Sequence, residues 1–164
     1  MATTTAKTIR NTISGLIADI APAIHSQQAF RQHRHELPHR EWCEANPASC
    51  LRTYSCRFLG STEPPAVNDT LVQEVRDVLE ITIAYPTDWR HGGGQNGQLL
   101  GLDDVITDDA RLVERYVGPP GYATLAGLVA PATVMWEAAN EREASGPVTF
   151  SVLRYRVDYF RSLS

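Results

Sequence analysis

The sequence predicts a single α+β domain. A mostly antiparallel sheet of about four strands carries two helices on one face, in the order α-β-β-α-β-β. Apolar residues recur at three- and four-residue steps in two segments and alternate at period two in four others. Proline and glycine clusters separate these segments. The length of 164 residues, with 43% hydrophobic and 21% charged residues, suits one globular domain with a real core.

In TIRNTISGLIADIAP, Ile9, Ile13, Leu16, Ile17 and Ile20 share one helical face, and Pro22 ends the helix. From His25 to Asn46 the chain is polar and rich in histidine. It reads as a loop or an edge strand, punctuated by Pro38 and Asn46-Pro47, within a His/Cys-rich segment spanning 25–50. In LRTYSCRFLG the period becomes two: Tyr54, Cys56 and Phe58 alternate with Thr53, Ser55 and Arg57. After Glu63-Pro64-Pro65, EVRDVLEITIAY puts Val75, Leu79, Ile81, Ile83 and Tyr85 on one face of a longer strand closed by Pro86. Antiparallel pairing of these two strands is the simplest arrangement.

The second helix is expected in LDDVITDDARLVERYV, where Leu102, Ile106, Val113, Tyr116 and Val117 share a face. The acids at its start complement the helix dipole, and Gly118-Pro119-Pro120-Gly121 stops it. ATVMWEAANE and VTFSVLRYRVDYF read as two strands joined across Arg142 to Pro147, with Ser145-Gly146 favouring a turn. In the last strand Leu153, Tyr155, Val157 and Tyr159 make the inner face. Arg154, Arg156 and Asp158 lie opposite, on a face left for water or a partner.

Lys plus Arg is 15 against 19 Asp plus Glu, a net charge of −4, which argues against duplex DNA as a bound ligand. Lys7 is the only lysine. The start, MATTTAKTIRNT, has no apolar core of signal length. The longest near-apolar run, Tyr122 to Met135, is broken by Gly127 and Pro131 and is too short to span a bilayer. Cys43, Cys50 and Cys56 are odd in number and not spaced as CxxC. The expectation is a protein of the cytoplasm, without a membrane, carrying free thiols.

The stretch YPTDWRHGGGQNG, Tyr85 to Gly97, raises the question of a phosphate cradle. Gly92, Gly94 and Gly97 match the letters GxGxxG, yet Pro86 has already closed the strand and no helix opens directly after Gly97. No Gly-Lys pair exists, and Asp103 with Asp104 would repel a pyrophosphate at the helix that follows. A flexible loop over 86–101 is the simpler reading. Within it Asp88, Trp89, Arg90, Gly92, Gly93 and Gly94 are candidate partner contacts, together with Arg154, Arg156 and Asp158.

His33, His35, His39 and Cys43, with Cys50 and Cys56 beyond, could ligate zinc, and His39 and Cys43 could meet on one helical face. The set lacks paired CxxC or HxxxH knuckles, so a polar loop with incidental histidines is preferred and no metal or cofactor is assigned. Asp103, Asp104, Asp108 and Asp109 fit helix capping better than a metal site. Asp77 and Glu80 lack the lysine usual beside nuclease carboxylates, and no serine has a GxSxG setting. No catalytic residue is assigned, and the chain is not expected to be an enzyme.

The order of elements resembles the tail-terminator proteins of long-tailed bacteriophages over nearly the whole chain. It comprises an amphipathic helix, two strands ending in VLEITIAYP, an irregular Gly-rich loop, a helix, and a terminal hairpin ending in VLRYRVDYFR. The segment from about His25 to Cys50 is longer than the simplest members would have. The resemblance implies a structural protein of the virion tail or neck, assembled in the host cytoplasm. It implies a homohexameric ring that caps the tail tube, contacts the tube protein and the head-completion or stopper protein, and lets DNA pass without specific binding. Asp103, Asp104, Asp108 and Asp109 would then be candidates for lining the pore. The competing expectations are another head–tail connector, or a small metal-binding protein or enzyme using the cluster from His33 to Cys56.

Overall fold

In a computed structural model of the chain, residues 3–20, 29–61, 71–89, 101–117, 133–136 and 140–162 are described. In chain order the elements are α1 (Ala6–Ala18), β1 (Arg31–Gln32), α2 (His39–Ala45), a 3-10 turn (Pro47–Ser49), β2 (Thr53–Ser61), β3 (Val72–Pro86), α3 (Leu102–Val117), β4 (Thr133–Trp136), β5 (Glu141–Ser145) and β6 (Val148–Ser162). The sheet runs β1-β2-β3-β6-β4, and β5 also pairs with β6. All pairings are antiparallel except β1 with β2.

The fold is built on β3 and β6, fifteen residues each and paired from Val72–Ser162 to Pro86–Val148. Their odd-numbered apolar residues, from Val75 to Tyr85 and from Leu153 to Tyr159, point to one side, as a period of two requires. There they meet Ile9, Ile13 and Ile17 of α1 and Val105, Ile106, Ala110, Val113 and Val117 of α3 in one core. Thr5 caps α1 by accepting the Thr8 N–H at 3.1 Å, and Tyr54 Oη donates to the Ser14 carbonyl at 2.6 Å. Both predicted helices therefore lie on one face, as expected.

The opposite face is not left wholly bare. The segment read as a loop or edge strand contributes a two-residue edge strand, β1, and a third helix, α2. Cys43 of α2, with Cys50 at the end of the 3-10 turn, packs on Ala84, Val148 and Phe150, which belong to the even-numbered face. This second small core buries Ala84 on the even-numbered face, so β3 is covered on both sides near its end.

Near the chain's end the predicted hairpin needs correction. Among the described residues the first strand covers Thr133–Trp136, and Arg142–Ser145, placed in the connection, belong with Glu141 to a separate strand, β5. The turn falls at Gly146-Pro147 between paired Ser145 and Val148, with Gly146 at φ +58. A positive φ followed by proline's fixed negative one suits a two-residue hairpin turn of the II′ type. At the other end β2 and β3 lose register between Phe58 and Ser61, where Gly60 has φ +107. Asp77 Oδ1 accepts the Gly60 and Val78 N–H groups at 3.0 and 2.9 Å, holding this bulge.

A buried ion pair joins the layers. Arg52, just before β2, donates Nε to Asp109 Oδ2 at 2.8 Å and Nη2 to Oδ1, and both side chains have no exposed surface. Tyr85 Oη donates to the same Asp109 oxygen at 2.8 Å. Burial first, and the Asp109 charge second, hold the Tyr85 phenol well above its usual range, so it stays a donor. The Arg52 guanidinium also sits 4.5 Å over the Phe30 ring. Asp109→Ala strands a buried cation, and its expected cost is about 3–5 kcal/mol in urea unfolding. The triple replacement Arg52→Met, Asp109→Leu and Tyr85→Phe, which removes the ion pair together with its phenol partner, should cost less than that single change.

Candidate functional site

The candidate site is the even-numbered face of the sheet, opposite α1 and α3. The alternation that sends Leu79 and Ile81 into the core sends Glu80 outward, and the β3–β6 register sets it beside Arg154. The β2–β3 register sets it beside Arg57 on its other flank. One carboxylate oxygen takes Arg57, with Nη2 at 2.8 Å; the other takes Arg154 Nε at 3.1 Å. Arg154 Nη1 reaches on to Glu141 of β5 at 3.0 Å. The result is a charge ladder across β2, β3, β6 and β5. Toward the far end of β6, Arg76 and Arg156 approach one Asp158 oxygen at 3.3 and 3.4 Å.

Glu80 is the pivot of this ladder, with a side chain only 5% exposed, while the Arg57 side chain is 67% exposed. Desolvating a carboxylate is costly unless both oxygens are partnered, and here both are. The surrounding arginines therefore satisfy Glu80 and still present guanidinium edges to solvent.

The other half of this face lies under α2. Arg40 pairs with Glu143 and lies 4.8 Å over the Phe150 ring, and Ser145 Oγ donates to Glu44 at 2.6 Å. These contacts tie α2 to β5. His39 faces the sheet, with Nδ1 3.1 Å from Ser55 Oγ and Nε2 3.1 Å from Thr53 Oγ1. Cys43 Sγ lies 3.5 Å from the same Thr53 oxygen. Behind His39 the rings of His33, His35 and Trp42 cluster, His35 stacked on Trp42 at 4.2 Å and 7° and His33 tilted against both. His33 Nε2 is 2.7 Å from the Leu37 carbonyl and therefore carries its proton.

The residues singled out in the sequence are dispersed. Arg154, Arg156 and Asp158 come together on the charged face and are held in ion pairs within the chain. Asp88 is exposed in the turn after β3, and Trp89 packs half-buried against the main core with its N–H 3.0 Å from the Pro86 carbonyl. Trp89 is thus in part a core residue, not a free aromatic tip. Arg90, Gly92, Gly93 and Gly94 lie outside the described residues.

Asp103 is exposed and paired with Arg142, Asp104 is exposed, and Asp108 is half-buried, 3.8 Å from Arg111. Asp109 has no exposed surface, so it cannot line a pore. Its place is the core, because it lies three residues after Ile106 and four before Val113 on the inward stripe of α3.

His39 and Cys43 do share one face of a helix, as their spacing suggested, and Cys50 joins them. Cys56 does not: burial drives its thiol up to about 12 on the α1 side of the sheet, where Ser14 contacts it. Among the described residues no group of three or more His, Cys, Asp or Glu is placed to hold a metal ion. Sequence reasoning missed Glu80 and Arg57 as parts of the charged face. The signal available was their even–odd parity with Arg154 and Ser55.

No family model matches the chain, and no curated protein matches it. What the geometry offers is a preformed strip of ion-paired arginines beside a thiol and imidazole cluster. Glu80→Ala, which removes the shared partner of Arg57 and Arg154, should cost about 1–3 kcal/mol in urea unfolding. Arg57→Ala, on the exposed flank, should cost under ~1 kcal/mol. Equal costs would mean that Glu80 is not the pivot.

Proposed function

We propose that the protein is a structural subunit of the tail-terminator type, a non-enzymatic building block that closes into a ring at the head-proximal end of a phage tail. The observation that carries this reading is the division of the sheet into a core face and an ion-paired arginine face. A subunit that joins copies of itself head to tail needs two unlike surfaces, and a rotation that closes gives a ring. The arginine strip supplies one surface of the required kind, rich in guanidinium groups able to exchange carboxylate partners across an interface. The resemblance of element order supplies the rest: six copies, a tube protein on one side and a head-completion or stopper protein on the other. DNA would pass through such a ring without specific binding, in keeping with the net charge of −4.

The direct test is tail length in particles made without the gene, with the subunit's position determined by imaging complete particles. Tails of abnormal length, restored by the gene, are expected, and the subunit should sit on the tail tube. Normal tails in its absence would sink the reading, and a ring on the capsid side would replace it with a head-completion or stopper role.

The stretch that follows Trp89 gives a second test. Deletion of Arg90 to Gly97 should leave thermal unfolding within a few degrees of the parent, because Trp89 is anchored on the core before the deletion starts. The same deletion should abolish ring formation or tail attachment. Unimpaired assembly would remove this stretch from the interface.

A further inference from the structure

The two helices of the core face lie toward opposite ends of the sheet. α1 packs over β1 and β2. α3 packs against β6, where Arg142 of β5 pairs with Asp103 and donates to Thr107 Oγ1 at 2.8 Å. Each helix therefore turns one flank outward, past the last strands. On α1 that flank is Lys7, Arg10, Ser14 and Ala18, at the three- and four-residue steps of one stripe. Both of its charges are positive, and α1 contains no acid. On α3 the outward stripe is Asp103, Thr107 and Glu114, while Arg111 and Arg115 lie on the neighbouring stripe with Asp104 and Asp108.

The α1 flank is also hollow. A groove of about 410 Å³ separates it from residues 32–34 and is lined by Asn11, Ser14, Gly15, Ala18, Gln32 and Arg34. Its polar side chains are neutral or cationic, and the acids nearest in sequence, Asp19 and Glu36, do not line it. Ser14 is only 4% exposed, and its hydroxyl has no oxygen or nitrogen partner among the described residues.

The charges of these flanks differ in kind from those of the arginine face. There Arg57, Arg76, Arg154 and Arg156 are held by carboxylates of the same chain. Lys7, Arg10, Arg34 and Glu114 are exposed and form no ion pair among the described residues. Unspent charges of opposite sign at opposite ends favour an end-to-end meeting of like molecules. We propose that the α1 flank, with its groove, is a docking surface for a second copy of this chain, which brings its acidic α3 flank to it.

A contact of this kind joins unlike surfaces. Every copy keeps one flank of each sign for the next, and the series closes into a ring where the rotation allows. The inference rests on the ring reading in that copies must join, and it places the junction on the helix flanks.

Lys7, the only lysine, makes the junction testable. An equimolar mixture of isotope-labelled and unlabelled full-length protein, concentrated and at low salt, is treated with a carbodiimide, which joins an amine directly to a carboxylate in contact with it. Peptide mass mapping should find labelled–unlabelled hybrids that link Lys7 to Asp103 or Glu114. Hybrids that link Lys7 to Glu80, Glu141 or Asp158 instead would overturn the flank assignment and leave the ring reading standing. Absence of hybrids overturns the assignment too, and tail length without the gene still judges the ring separately.

Charge reversal supplies a second arm. Arg10→Glu moves an acid toward the start of α1, and Glu114→Arg puts a cation in the last turn of α3, both signs that a helix dipole favours. Circular dichroism should therefore show unchanged folding. Either variant alone should raise the dissociation constant for self-association, read by sedimentation, on the order of tenfold, because like charges then meet. Their equimolar mixture should restore association, since each reversed flank matches the other. A mixture as weak as either variant alone overturns the proposal.

Discussion

Arg52 must be fully charged and fully buried at the same time, and much of the architecture follows from that requirement. A guanidinium does not shed its proton at any relevant pH, so removal from water is tolerable only with partners already in place. Asp109 from α3 and the ring of Phe30 supply them, while Tyr85 from β3 satisfies the remaining lone pair of Asp109. The Arg52 backbone has φ +56, in a region that costs an ordinary residue about 1–2 kcal/mol. Its N–H donates to the Ala84 carbonyl at 2.8 Å and its carbonyl accepts from Arg31 at 3.0 Å, which holds the strained residue between two strands. Sheet, helix layer and the edge strand therefore become correct together or not at all.

The two faces of the sheet solve different problems. Beneath α1 and α3 the side chains are mostly apolar and the Arg52–Asp109 ion pair is sealed. On the other face α2 covers one half, and the other half keeps its charges in pairs that run across strands. Pairs of this kind are exchanged, not created, when a partner docks. A partner of mixed charge therefore gains specificity and association rate more than affinity, and its binding weakens with salt.

The long elements were legible because their signal is periodic. Val75, Leu79, Ile81, Ile83 and Tyr85 declare β3, and the Ile9–Ile13–Ile17 stripe declares α1, without any help from the rest of the chain. α2 was not legible, since a seven-residue helix has under two turns in which to show a period and its face is made of His39 and Cys43. β5 reads EREAS, poor in strand-forming residues, and owes its conformation to the Gly146-Pro147 turn that folds it onto β6. The Arg52–Asp109 pair spans 57 residues, so no local pattern announces it. Half of it was nevertheless visible: of the four aspartates in α3, only Asp109 lies on the same stripe as Ile106 and Val113.

The distribution of strand lengths bears on how copies of a chain like this could associate. The two fifteen-residue strands are interior, each hydrogen-bonded along both flanks for much of its length. The strands at the rims are two, four and five residues long among the described residues. Backbone donors and acceptors left at such short rims give a poor template for an incoming strand. Strand addition at those three rims is disfavoured, whereas β1 covers only Thr53 and Tyr54 of the nine-residue β2. Contacts made by side chains on faces and loops, unlike strand addition, let geometry impose a finite number of members.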